Sequence, residues 1–200
     1  MTRPSVLVAS ALLWALMSCA GTTLAAAVDS QTTPATGTLD LDALGAQLSH
    51  DVPACVTFDQ RRWMEDLGTE LPSKGYFRRQ PSGLVWQTLT PVEDRVVLSA
   101  DNPELPPGLK ALLPVLTGML EGDWDSLEQH FDVELSGSMA AWQAELAPRD
   151  TAIAERLDDV ELSGGDEVEA LEVAFSDGDQ LALYLTPVEC SESPGGADTP

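Results

Sequence analysis

The stretch that most constrains the fold is Gly75 to Ser99, "GYFRRQPSGLVWQTLTPVEDRVVLS". Apolar and polar residues alternate along it, and a strand puts successive side chains on opposite faces. Phe77, Trp86 and Leu98 then share one face with Phe58 of the preceding "CVTFDQRRWM". Arg78, Gln80 and Gln87 share the other, so the pattern predicts one greasy face and one wet face. Pro81-Ser82-Gly83 joins two of these strands. Proline fixes one turn dihedral and glycine accepts a positive one, which predicts a hairpin. "DRVVLSA" continues the meander.

The elements on either side follow from the same reading. Leu39, Leu41, Leu44 and Leu48 stand at helical spacing and predict a short amphipathic helix. In "PPGLKALLPVLTGMLEGDWDSLEQHF" the apolar residues Leu109, Leu112, Leu113, Leu116, Met119 and Leu120 again repeat at helical spacing. Pro114 and Gly118 weaken or kink the middle of that helix. A second helix is predicted from about Asp125, as N-cap, to Phe131. "FDVELSG" and "MAAWQAELAP" then read as strands, "DTAIAERL" as a helical turn, and the remainder to Val188 as two or three more strands. "SDGD" at 176–179 and Gly164-Gly165 are hairpin signals, because such turns need positive dihedrals. Glu169 and Glu172 fall on the wet side, Val173 and Phe175 on the greasy side. Four strands, a helical insert and roughly five further strands predict an α+β architecture in which helices pack on one face of an antiparallel sheet.

Charge narrows the partners. Ten basic residues face 33 acidic ones, a net charge of −23 with a pI near 4.1. Nucleic acid is excluded, since phosphate binding needs clustered Lys and Arg. A bare anionic membrane surface is repelled on the same grounds.

The beginning of the chain reads as an export signal over residues 1–25: Arg3, then an apolar run from Val6 to Met17, then small residues. That run is too short to span a bilayer core of about 30 Å as a helix. Two cleavage readings stand. Cutting before Ala26 or Val28 releases a periplasmic protein, whereas "LMSC" at Leu16 to Cys19 resembles a lipobox and would leave a lipid-modified Cys19 as an envelope-membrane anchor. Residues 26–38 read as a linker, 39–190 as the folded domain and 191–200 as a disordered tail. Cys55 and Cys190 bracket the folded region. An exported compartment permits a bridge between them, with two buried thiols as the other reading.

Catalytic chemistry is missing. His50 and His130 are the only histidines, and His130 has Asp132 nearby as a formal partner, but no serine elbow or cysteine motif accompanies them. "GDWDSLE" lacks the ligand run of a calcium loop. The reading is no enzyme, no metal and no cofactor.

"VTFDQRR" followed by "SKGYFRRQPSGLVWQTLTP" resembles the periplasmic outer-membrane lipoprotein carrier family, the LolA-like proteins and their outer-membrane receptor relatives. The matching positions are Phe58 and Gln60, Gly75 and Phe77, Arg78 to Gly83, Trp86 and Thr90-Pro91, and the later "VELSG" and "LTP" fit as well. The resemblance spans residues 56–187. It implies an incomplete antiparallel barrel, a half-barrel, with a helical lid on its concave face. It further implies a cavity for the acyl chains of a lipoprotein or another lipid, lined by Phe58, Phe77, Leu84, Trp86, Leu98, Trp142, Val173 and Phe175. Segment 105–131 would be the lid, and an inner-membrane exporter and outer-membrane receptor would be the partners. Periodicity alone reads the same aromatic residues as a closed core.

Overall fold

The computed structural model describes residues 39–81 and 83–190. The expected signal, linker, Cys19 and tail lie outside the described residues.

Two antiparallel meanders make up the sheet. The first contains β1 (Cys55–Met64), β2 (Thr69–Gln80), β3 (Gly83–Thr90) and β4 (Asp94–Leu98). The second contains β5 (Phe131–Ser138), β6 (Ala141–Pro148), β7 (Leu157–Gly164), β8 (Val168–Phe175) and β9 (Gln180–Val188). They join where β1 pairs with β9, giving one nine-stranded sheet in the order β4-β3-β2-β1-β9-β8-β7-β6-β5. β4 and β5 are the edges, so the sheet does not close, and this is the open antiparallel architecture that the sequence predicts.

Among the described residues four α-helices accompany it: α1 (Leu41–His50), α2 (Pro107–Glu121), α3 (Trp124–His130) and the single turn α4 (Thr151–Ala154). Buried residues of all four belong to one apolar cluster with the sheet. α2 begins with proline in its first turn, where a missing N–H is harmless. It ends at Gly122, whose left-handed backbone (φ 78°) turns its N–H back onto the Gly118 carbonyl.

The antiparallel β1–β9 register also brings the two cysteines together. Cys55 stands opposite Val188, and Cys190 lies just beyond the end of β9. The Cα atoms are 5.2 Å apart and the sulfurs are bonded, across a sequence separation of 135 residues. Closing so long a loop stabilises the fold by about 5 kcal/mol in the chain-entropy picture.

Three local expectations are corrected. α3 is capped by Asp123, whose carboxylate accepts from the Ser126 N–H at 3.2 Å, so Asp125 lies inside the first turn instead. β2 starts at Thr69 rather than near Gly75, because a tight turn after Met64 lets β1 and β2 pair along their whole length. His130 does not meet Asp132: its Nδ1 is 3.8 Å from Asp150, and Asp132 instead accepts from Arg149 at 2.6 Å.

The second meander contains two register shifts that alternation does not reveal. Leu157 opposes Phe175 while Asp159 opposes Ala174, leaving Asp158 as an extra residue. Ser163 opposes Ala170 while Gly164 opposes Val168, leaving Glu169 extra. Each bulge lets an acidic residue stay exposed while the apolar residues on both sides of it remain buried.

Candidate functional site

The helix-covered face of the sheet carries the residues expected to form a site. On the first meander Phe58, Phe77, Leu84, Trp86 and Leu98 are all buried. Cross-strand pairing sets them side by side, with Phe77 opposite Trp86 and Leu84 opposite Leu98. The ring centroids of Phe58, Phe77 and Trp86 lie 5.0 to 5.8 Å apart with tilted or edge-on planes, the preferred geometry for aromatic contacts.

Gly75 makes that cluster possible. A Cβ at this position would stand 1.9 Å from the Gln87 carbonyl oxygen and 2.7 Å from the Phe58 ring. Glycine therefore admits both the irregular β2–β3 pairing beside Lys74 and the Phe58 ring lying over the strand.

On the second meander Trp142 and Val173 are buried in the same cluster. The Trp142 indole N–H donates to the Gly165 carbonyl at 2.9 Å, which satisfies its polar end inside the fold. Phe175 differs. It is half-buried at the rim, within 3.6 Å of the position a Gly108 side chain would take at the start of α2. The Arg62 guanidinium sits 5.9 Å from the centre of its ring.

From α2, Leu112, Leu116, Met119 and Leu120 are buried against this face, and Leu109 and Leu113 pack on it while partly exposed. Pro114 has no N–H to give the Lys110 carbonyl, so the helix lacks one internal bond at its middle. The Thr117 hydroxyl donates to the Leu113 and Pro114 carbonyls at 2.9 and 3.2 Å and supports the next turn. Gly118 lies against α3, where a Cβ would come within 2.9 Å of Leu127.

Sequence reasoning passed over Val56, Val115, Leu162, Leu171 and Leu183, which are buried in the same cluster. Val56 was findable, two residues before Phe58 on an alternating strand, and Val115 stands one helical step from Leu112. The sheet and α2 are packed together in this form. A crevice of about 30 Å³ opens between the end of α1, the end of α2 and β9, lined in part by Leu48, Val56, Met119 and Leu185. That volume matches roughly one water molecule, not an acyl chain.

One rim contact has clear electrostatics. Asp179, in the β8–β9 turn, accepts from the Arg62 guanidinium at 2.9 Å and from the Glu65 backbone N–H at 3.0 Å. The Arg62 hydrogen bond, followed by the backbone one, holds its carboxyl below the ordinary aspartate range against the opposing effect of burial. Among the described residues no group of His, Cys, Asp and Glu is placed to hold a metal ion.

An open antiparallel sheet whose apolar face is covered by a proline-interrupted helix is the class of protein these elements define. Residues 94–189 match the family described as outer membrane lipoprotein carrier proteins, LolA-like. The chain thus resembles that family, and members of it are carriers, not enzymes. The match runs from β4 through β9. It includes the later "VELSG" and "LTP" but leaves the aromatic positions Phe58, Phe77 and Trp86 before it. Among solved structures the chain is similar to a LolA superfamily protein from Nitrosomonas europaea, with a TM-score of 0.34 and 8% identity over 74% of this chain and 92% of that one. No curated protein matches the sequence.

Proposed function

We propose that the protein is a periplasmic, non-enzymatic carrier that takes up the acyl chains of a lipoprotein, or another lipid, between its sheet and α2 and conveys them towards the outer membrane. The observation that carries this reading is the purity of the covered face. Among the described residues Asp179 is the only polar or charged side chain counted as buried, and it lies at the rim. The buried polar groups of this cluster are few, the indole N–H groups of Trp124 and Trp142 among them, so exchanging a helix for an acyl chain strands little hydrogen-bonding capacity. Each methylene taken from water contributes roughly 0.8 kcal/mol.

Because the face is filled in this form, uptake requires α2 to move. The missing bond at Pro114 is where such a movement is least opposed. Phe58, Phe77, Leu84, Trp86, Leu98, Trp142, Val173 and Phe175 would line the opened cavity, with Leu109, Leu112, Leu113, Leu116, Met119 and Leu120 on the lid. An inner-membrane exporter and an outer-membrane receptor would load and unload it. A second reading rests on "LMSC" at Leu16 to Cys19: a lipid-anchored receptor or assembly lipoprotein.

Intact mass spectrometry of the protein from its native envelope, native and then denatured, tests both. A chain starting near Ala26 or Val28, with a mass excess that denaturation releases as lipid, is the expected result. Acyl groups retained on Cys19 after denaturation would favour the anchored receptor, and a lipid-free soluble chain would count against the carrier.

A further inference from the structure

We infer that the opposite, solvent-facing side of the sheet is a docking surface for a basic segment of a protein partner, seated in the valley where β1 and β9 meet β8 and β7. The valley has a volume of about 300 Å³. Its shape follows from the register. Arg61, Ala182 and Glu172 stand in one row across β1, β9 and β8, and Gln180 stands beside Ala174. The two alanines make a low floor. Trp63 and Tyr184 rise on one wall, 36% and 45% exposed, and are among the few large hydrophobic residues that the fold leaves in water. Glu161 and Glu172 rise on the other.

The acidic wall belongs to an unusual ladder. Glu134 opposes Glu145, Glu145 opposes Glu161, and Glu161 opposes Glu172, so four adjacent strands place like charges directly across from one another. Directly opposed residues have Cβ atoms about 4.5–5.5 Å apart, and like charges there are destabilising. Among the described residues none of the four forms an ion pair, and Glu161 has only the Gln143 amide, at 3.2 Å. Among the described residues that line the valley the one cation is Arg61, on the other wall, 6.0 Å from the centre of the Tyr184 ring.

An aromatic wall, a small-residue floor and a carboxylate wall match the chemistry of an exposed lysine or arginine. Its alkyl stem lies on Trp63 and the alanines while its cationic head reaches Glu161 and Glu172. Further basic residues on the same segment would continue along the ladder towards Glu145 and Glu134. The fold leaves this charge unbalanced, and a basic partner balances it. The surface lies on the face away from the proposed acyl site, so one protein can hold cargo and partner together.

The test is fluorescence anisotropy with the full chain and a labelled acetyl-Lys-Ala-Arg-Ala-Lys-amide peptide. The Glu161→Gln/Glu172→Gln pair is expected to weaken binding by about tenfold. The Asp42→Asn/Glu128→Gln pair removes the same charge from α1 and α3 and is expected to stay within about twofold, because exposed charges far from the peptide are screened. Trp63→Ala, at unchanged charge, is expected to cost about threefold. Removing like charges from the ladder does not threaten the fold, so lost binding will report the valley. Trp86→Ala on the other face is expected to leave peptide binding unchanged, which separates this inference from the carrier reading. Equal weakening by both acidic pairs, an unaffected Trp63→Ala variant, or no binding by the parent protein would overturn it.

Discussion

Strands β1–β4 bury Phe58, Phe77 and Trp86 beneath the helices, whereas β5–β9 bury mainly leucine and valine around Trp142 and Phe131. The outer sides differ more sharply. The first meander carries Arg61, Lys74, Arg78 and Arg95 against Asp59 and Glu70 on that side. The second carries eight acidic residues and no lysine or arginine in its strands. Across β1–β2, Asp59 faces Lys74 and forms an ion pair with it. Across β5–β8, glutamate faces glutamate. Both meanders obey the same inner alternation, because both must bury one face. Nothing in that requirement dictates the outer residues, so burial leaves the charge balance there free to differ between the two meanders.

The largest expected effect lies in the aromatic half. Gly75→Ala should destabilise by about 3 kcal/mol or more, since the new methyl group collides with backbone as well as with the Phe58 ring. Urea denaturation measures it. A loss under about 1 kcal/mol would show that the aromatic cluster repacks freely and that the two halves are equally plastic.

A smaller effect is expected where the halves are clamped. Arg62 on β1 and Asp179 between β8 and β9 link one meander to the other. Asp179→Asn should cost about 1–2 kcal/mol at pH 7, discounted for the half-exposed arginine. The folded carboxyl is held below its ordinary value, so its contribution is fully present above the unfolded aspartate range near about pH 4. It is lost as the pH falls through the folded value. The stability gap between parent and variant should therefore be constant from pH 7 to about 5 and close below about 4. A gap that widened in acid would remove the clamp from the comparison.

The smallest effect has the opposite sign. Glu145→Gln, with a glutamate on each side, should raise stability by about 0.5 kcal/mol at low ionic strength. The gain should fade in about 0.5 M salt. The equivalent neutralisation in the first meander, Asp59→Asn, removes an attractive pair and should not stabilise, and thermal melts of the two variants side by side sharpen the contrast.

Much of the inner face was legible. Phe77 and Trp86 came from alternation alone, and Pro81 and Gly83 predicted the β2–β3 hairpin that sets them opposite each other. Leu112 and Leu116 came from helical spacing. The rim was not legible: Phe175 alternates like a core residue, yet it ends β8 half-buried beside the start of α2, where Arg62 reaches over it. The ladder was hidden for a different reason. Glu134, Glu145, Glu161 and Glu172 are far apart in the chain, and only the pairing register puts them in one row.

By itself, then, the sequence determined which segments are strands and helices, which residues face inward, and that the outer surface is acidic, because these follow from periodicity and composition within short windows. Tertiary structure decided the rest. It joined the meanders through β1 and β9, which bonded Cys55 to Cys190. It inserted the bulges that keep Asp158 and Glu169 in water. It also closed α2 over the apolar face and aligned four glutamates on the other. Register and packing are long-range properties, set by the joint burial of many side chains, and no local window of the chain contains them.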